Sequence, residues 1–296
     1  MKYYNSYLPK FNSVKRKIPV YDVKNKMDFH GFFQKETPFI INYNLSNHLK
    51  SVLIDIELIE KKTKIITLDS IPHKEIREGL FFDYLNYVNS KKVDALYPEN
   101  FKIIEKVKDT EINKVFRHYA LSLNESLFPS IANFKIPYIE NGNYLLQTKF
   151  TNSEWLPHIT AEDISSPHWL FIHPQFSVSN AHYDHDNVHA SIFQLKGSKY
   201  VCLVSPKHHE LIRNKEFPLL PNGFNDFTNS DLAHLPSSDL ETWEGVIEEN
   251  QIIFIPKRWV HFVLGLTNGI SYAQDIVLEN NFNEWSASIK NITNDT

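Results

Sequence analysis

His182-Tyr183-Asp184 sets an imidazole and a carboxylate two residues apart, and Trp259-Val260-His261 supplies another imidazole far downstream. On an extended strand alternate side chains share a face, so His182 and Asp184 can address one point, roughly 6–7 Å apart along the chain. A histidine from a different strand then completes three ligands on one side of an ion. Two imidazoles and one carboxylate, with the opposite positions open, form the donor set that suits non-haem Fe(II) and oxygen chemistry. The chain holds 14 histidines, so His-x-Asp by itself fits a satisfied histidine beside a solvated carboxylate equally well. The surroundings decide between the two.

Those surroundings read as short strands. His168-Trp-Leu-Phe-Ile-His173 precedes the motif, and Ser191-Ile-Phe-Gln-Leu-Lys-Gly-Ser-Lys-Tyr-Val-Cys-Leu-Val204 follows it. Both are rich in aromatic and β-branched residues, are bounded by Pro174 and Pro206, and turn at Lys196-Gly197-Ser198. Gln251–Ile255 ends at Pro256, His261 opens Phe262-Val-Leu-Gly-Leu266, and Gly269–Val277 follows. Strands of this length, separated by turn signals, predict a mainly β protein, a double-stranded β-helix (jelly-roll or cupin) barrel with flanking N-terminal helices. The candidate ligands fall at strand ends, where a barrel mouth would gather them.

Ser177-Val-Ser-Asn-Ala-His-Tyr-Asp184, Gln194-Leu-Lys-Gly-Ser-Lys-Tyr200, Val204-Ser-Pro206, Ile255-Pro256 and Trp259-x-His261 occur in an order that resembles the Jumonji-C/cupin-8 family of Fe(II)/2-oxoglutarate-dependent oxygenases. Upstream, Thr37-Pro-Phe-Ile-Ile41 is similar to that family's leading strand and Asn143-Tyr-Leu-Leu-Gln147 to its first active-site strand. The branches most similar in pattern are the hypoxia-inducible-factor asparaginyl hydroxylase and the tRNA wybutosine hydroxylase. The likeness runs from about residue 17 to 285 and is dense between 144 and 277. It implies His182, Asp184 and His261 as iron ligands, with 2-oxoglutarate and O2 as cosubstrates. It also implies Lys199 as the cation for the distal carboxylate, with hydroxyl groups from Ser179 and Tyr144 beside it. A buried dianion needs such a fixed charge. Without the resemblance, Lys199 would read as a solvated strand-edge lysine.

The chain departs from the pattern in places. His182 and Lys199 are 17 residues apart (199 − 182), about two more than the resemblance implies, which predicts a bulge or longer turn within His185–His189. The matching asparagine, a cosubstrate contact in the family, falls at Asn187. Ser179 stands in place of a threonine, Asn180 in place of a proline, and Asp275 where the asparaginyl hydroxylase carries an asparagine near the metal. A carboxylate at Asp275 repels an anionic cosubstrate unless it is turned away or the pocket differs.

A chain of 296 residues, 42% of them hydrophobic, can bury one substantial core. We expect one domain over 1–296. Strand and helix elements of 1–140 pack on a catalytic barrel at 141–280, which carries an insertion at about 207–247. The formal charge of −4 gives no footprint for nonspecific nucleic-acid binding, although Lys10 to Lys26 is basic. Cys202 is the one cysteine, so no internal disulfide forms, and it reads as a small buried residue. The N-terminus shows no apolar signal segment and no run has membrane-spanning length. These features place the expected location in the cytoplasm.

Further elements follow from local patterns. Met27, Phe29, Phe32 and Phe33 have helical spacing, and Leu45 to Leu53 reads as a helix capped by Asn44 or Ser46. Lys64-Ile-Ile-Thr-Leu reads as a strand, Ile76 to Ser90 as an amphipathic helix, and Phe101 to Glu111 fits helix or strand. Lys207–Arg213 reads as a short helix with His208-His209 on the surface. The short segment 280–296 offers no long dimerising helix, which leaves the oligomeric state open. The expected substrate is a peptide, a protein side chain or an amino-acid-like small molecule; tRNA is disfavoured by charge without being excluded. Two other classes share the same residues: a cupin metalloenzyme that does not use 2-oxoglutarate, and a noncatalytic binding module.

Overall fold

The computed structural model describes residues 13–22, 36–44, 46–59, 64–69, 75–90, 100–106, 121–123, 168–184, 187–208, 241–278, 281–285 and 287–288. Its strands are β1 (Val14–Lys17), β2 (Val20–Asp22), β3 (Phe39–Asn42), β4 (Lys64–Asp69), β5 (Glu75–Leu80), β6 (Lys102–Lys106), β7 (Leu121–Leu123) and β8 (His168–His173). They continue as β9 (Val178–His182), β10 (His189–Lys196), β11 (Lys199–Val204), β12 (Glu241–Ile247), β13 (Gln251–Ile255), β14 (Val260–Gly265) and β15 (Gly269–Ile276). Helices span Ser46–Leu58 and Phe81–Asn89.

One sheet has the order β1-β12-β11-β14-β9 and a second the order β2-β3-β13-β10-β15-β8-β7; β4-β5-β6 form a separate small sheet. This is the mainly β, jelly-roll type of architecture that the sequence predicts. Among the described residues the two large sheets face each other as a sandwich and do not join into a closed barrel.

The period-two alternation of the strands divides the core in two. Ile40, Ala190, Ile192, Ile253, Ile255 and Ala273 of the seven-stranded sheet meet Val201, Leu203, Ile247 and Val263 of the other sheet. Their neighbours Phe39, Ile41, Phe193, Leu195, Ile252, Phe254, Ile270 and Tyr272 point to the opposite face, where Phe81, Tyr84, Tyr87 and Val88 of the second helix cover them. The seven-stranded sheet is therefore buried on both faces, which explains why β10 reads as a nearly unbroken apolar run. The Tyr84 hydroxyl donates to Ile172 O at 2.5 Å and ties that helix to β8.

Local expectations meet the structure unevenly. The helix at Ser46 is capped from Asn44, whose Oδ1 accepts from Ser46 N at 3.0 Å. The helix expected from Ile76 begins only at Phe81, because Glu75–Leu80 is a strand with partners on both sides. Gly79 lies within it, and a Cβ there would fall 2.1 Å from the Phe101 ring. The ambiguous stretch after Phe101 resolves as β6. Glu241–Ile247, counted in the insertion from its polar sequence, is a full strand between β1 and β11. Its carboxylates Glu241 and Glu244 are taken up by Arg16 and Lys15 of β1. His208, expected on the surface, is buried in a 3-10 turn and its Nε2 accepts from Glu241 N at 3.3 Å. Cys202 is buried as expected, and burial pushes its thiol pKa up, so it carries no thiolate chemistry. The expected helix at 26–35, Tyr144 and most of the insertion lie outside the described residues.

Candidate metal centre

His182 ends β9, and His261 pairs with it directly from β14. One step along, Ser179 pairs with Val263, so two residues of β9 oppose the single Phe262. This is a β-bulge. Without it Ser179 and His182, three residues apart, would face opposite sides. The extra residue brings both onto the face of His261 and Val263, and Val263 belongs to the core between the sheets. Within the longer His182-to-Lys199 interval, Asn187 adopts φ 54° and β10 carries a register shift between Gln194 and Lys196.

The ligand atoms of His182, Asp184 and His261 all lie within 4.8 Å of one another. Nε2 of each histidine is 3.8 Å from Asp184 Oδ1, and the two imidazole centroids are 4.2 Å apart. Bonds of about 2 Å put ligands at right angles roughly 3 Å apart, so small side-chain rotations bring this trio onto one ion. His261 Nδ1 lies 3.1 Å from Trp259 O. Donation to that carbonyl holds the tautomer with the Nε2 lone pair turned toward Asp184. Trp259 is itself fixed in the inter-sheet core and stands edge-on to Trp243. His261 is only 6% exposed, whereas His182 and Asp184 keep 22% and 27%, so the trio is open to solvent from one side. The donor set fits an Fe(II) ion with open positions.

Lys199 lies on the same interior face as Val201 and Leu203 and is buried. Its Nζ donates to Ser271 Oγ and lies 5.3 Å from the centre of the Phe171 ring. No described carboxylate pairs with it, and burial lowers its pKa to about 7. A buried amine in that state is stabilised by an incoming anion. Sequence reading identified Lys199; Ser271 and Phe171 it did not, because they come from β15 and β8 and only strand pairing brings them there.

The other candidates divide. Ser179 reaches the ligand face through the bulge. The amide of Asn187, implied as a cosubstrate contact, is engaged by scaffold groups: Oδ1 accepts from Arg258 Nε at 2.7 Å, and Nδ2 donates to Ser288 Oγ at 2.7 Å. It acts as a clamp between the turn and the C-terminal segment, where Asn281 Nδ2 also donates to Asn187 O. Asp275 pairs with Ala190 on the face of Ala273 and Ser271, so its backbone register turns it toward the inter-sheet space and not away from it.

No family profile matches the chain. Over 89 residues it is 33% identical to the lysine-specific demethylase JMJ30 of Arabidopsis thaliana. That is a limited likeness. It covers 29% of this chain and 21% of the demethylase, so the chain spans about a fifth of that relative. The likeness agrees, loosely, with the Jumonji-C resemblance of the sequence motifs. Among the described residues no helix is long and apolar enough to cross a membrane.

Proposed function

We propose that the protein is an Fe(II)- and 2-oxoglutarate-dependent oxygenase that hydroxylates a C–H bond of a peptide, protein side chain or amino-acid-like molecule. The observation that carries this reading is the combination of a His-Asp-His trio with a buried lysine on the same interior face that pairs with no carboxylate among the described residues. Iron, when bound with 2-oxoglutarate and O2, supplies the oxidative chemistry: the oxo acid leaves as succinate and CO2, and one oxygen enters the substrate as hydroxyl.

The chain's own residues bind, orient and exclude water. His182, Asp184 and His261 hold the ion on one side, and the Trp259 carbonyl fixes His261. Lys199 and Ser271 receive the distal carboxylate of the oxo acid in a site where water does not compete. Val201, Leu203 and Val263 line the core around that position. The partly exposed His182 and Asp184 leave one side through which a side chain of a larger substrate reaches the ion. A net charge of −4 disfavours nucleic acid as that substrate.

The name of the Arabidopsis relative supports a second reading, N-demethylation. Hydroxylation of an N-methyl group gives a carbinolamine that breaks to formaldehyde and the free amine. The two readings share the site and differ in product. An anaerobic thermal-shift titration with Mn(II), with and without 2-oxoglutarate, tests the common part. Ligand at 100 times its dissociation constant adds about 2.7 kcal/mol, and the response should vanish in His182→Ala and Lys199→Ala. A metal response with no oxoglutarate response would point to a cupin enzyme of other chemistry, and no response to a binding module. Succinate with a one-oxygen mass gain on a candidate peptide marks hydroxylation; formaldehyde marks demethylation.

A further inference from the structure

The space between the sheets is closed at the end away from the metal. Phe176 N donates to Gly265 O and Gly265 N to Ser177 O, which binds the 174–177 turn to the end of β14. Gln175 N donates to Asn268 Oδ1 and Gln175 Nε2 to Leu266 O. Leu266 N donates to Ser198 O, and Ser198 N to Thr267 Oγ1. Into this knot points His173, the last residue of β8, fully buried.

Two glycines make room for its ring. A Cβ on Gly265 would lie 2.8 Å from His173 Nδ1, and one on Gly269 would lie 2.6 Å from Nε2. Gly265 is the strand partner of Lys199, and Gly269 precedes by two residues, on the same face, the Ser271 that holds the Lys199 amine. The ring therefore lies one register step below the lysine, on the side away from His261. It is held there by packing: among the described residues its polar contact is Nδ1 to Pro174 O at 3.4 Å, and Nε2 has no hydrogen-bond partner. Burial, and then the nearby Lys199, hold its pKa well below the usual histidine range, so the ring is neutral and leaves Lys199 as the cation.

We propose that His173 is the floor of the cosubstrate chamber and sets the length of 2-oxo acid that the site accepts. This rests on the oxygenase reading above. Ser271 holds the Lys199 amine and His173 lies one register step beyond it, so the imidazole fills the space into which a longer acid would extend. One methylene too many in a fitted pocket is worth about 10–200-fold in discrimination.

The test is calorimetric binding of 2-oxoglutarate and 2-oxoadipate to the Mn(II)-loaded protein under argon, which needs no turnover. Wild type should prefer 2-oxoglutarate by about tenfold or more. His173→Ala should narrow or invert that ratio by a similar factor, and His173→Phe, which refills the floor with a ring, should keep it. Should the alanine protein not fold, His173→Asn takes its place with the same expectation. An unchanged ratio in a folded His173→Ala or His173→Asn protein overturns the proposal, as does a His173→Phe protein as relaxed as the alanine one. Wild type that binds Mn(II) but neither acid overturns the oxygenase reading and the floor together. Wild type that binds 2-oxoglutarate leaves that reading standing whatever the variants show.

Discussion

At the open end of the inter-sheet space, the candidate site residues sit on a bulge, a strand end and the segment after it, and two of the three candidate metal ligands keep about a quarter of their surface exposed. At the closed end, turns are stitched together by backbone hydrogen bonds, and Lys199, His173 and Ser271 are buried within strands. The open end tolerates irregular backbone because water satisfies what the sheet does not. The closed end cannot, so its polar groups must be few and each must have a purpose or a cost. A lysine buried there with no carboxylate beside it among the described residues costs stability until a ligand arrives. Stability is thus given up at the floor and ligand geometry is arranged at the mouth.

The mouth breaks most completely. His182→Ala, Asp184→Ala and His261→Ala each remove one of three donors, and each should abolish the Mn(II)-dependent rise in melting temperature while leaving the metal-free midpoint within a few degrees. A single variant that keeps a full metal response would mean that the trio is not the ligand set.

The floor breaks with the opposite sign. Lys199→Met should keep the metal response, lose the 2-oxoglutarate response and melt higher than wild type without ligand, since a buried amine gives way to an apolar chain of similar length. The sign follows from linkage. Unfolding restores the lysine pKa from about 7 to 10.5, so between these values the unfolded chain binds the extra proton. Wild-type stability therefore rises with pH across that window and is lowest below it. Lys199→Met should flatten this dependence. A variant less stable than wild type at pH 7 would show that Lys199 contributes net stability through contacts other than a ligand's.

Cosubstrate affinity should follow the same group. Below pH 7 the ammonium is already charged and binding takes up no proton at this site. Above pH 7 the carboxylate must recruit one, and 2-oxoglutarate affinity should fall by about tenfold per pH unit. Calorimetry in buffers of different ionisation enthalpy reads the proton uptake directly. Affinity independent of pH between 7 and 9 would separate Lys199 from the cosubstrate.

The contrast between the ends also explains what the sequence disclosed. The trio that the structure brings together was legible because its signals are local: His182 and Asp184 sit two apart, Trp259-x-His261 follows a proline, and Gly197 marks the turn before Lys199. Most strands of 168–204 and 251–277 were legible for the same reason, since they are short apolar runs bounded by breakers, whereas the polar Glu241–Ile247 was not. The floor was not. His173, Gly265, Gly269 and Ser271 meet only through the pairing of β8, β14, β15 and β11, and no spacing along the chain reports a pairing. The bulge at Ser179 was invisible too, because one extra residue leaves no compositional mark. Glu75–Leu80 was misread because the helical spacing of Phe81, Tyr84, Leu85 and Val88 was extended back to Ile76, while one of its strand partners, β6, comes only after that helix.

Asn187 gives the finest comparison, since it belongs to the mouth by position and to the scaffold by contact. The resemblance implies a cosubstrate contact, and the structure turns the amide to Arg258 and Ser288. Asn187→Gly keeps the left-handed backbone without steric penalty and removes only the amide. Loss of those hydrogen bonds at a partly exposed site should cost about 1 kcal/mol, a fall of about 2 °C in a chain of this size. Because the amide is engaged by Arg258 and Ser288, 2-oxoglutarate affinity in the Mn(II) form should stay within about threefold of wild type, a difference under about 0.7 kcal/mol. A tenfold loss of affinity with an unchanged melting temperature would reverse the assignment, making Asn187 a cosubstrate ligand whose side chain leaves the clamp when the acid binds.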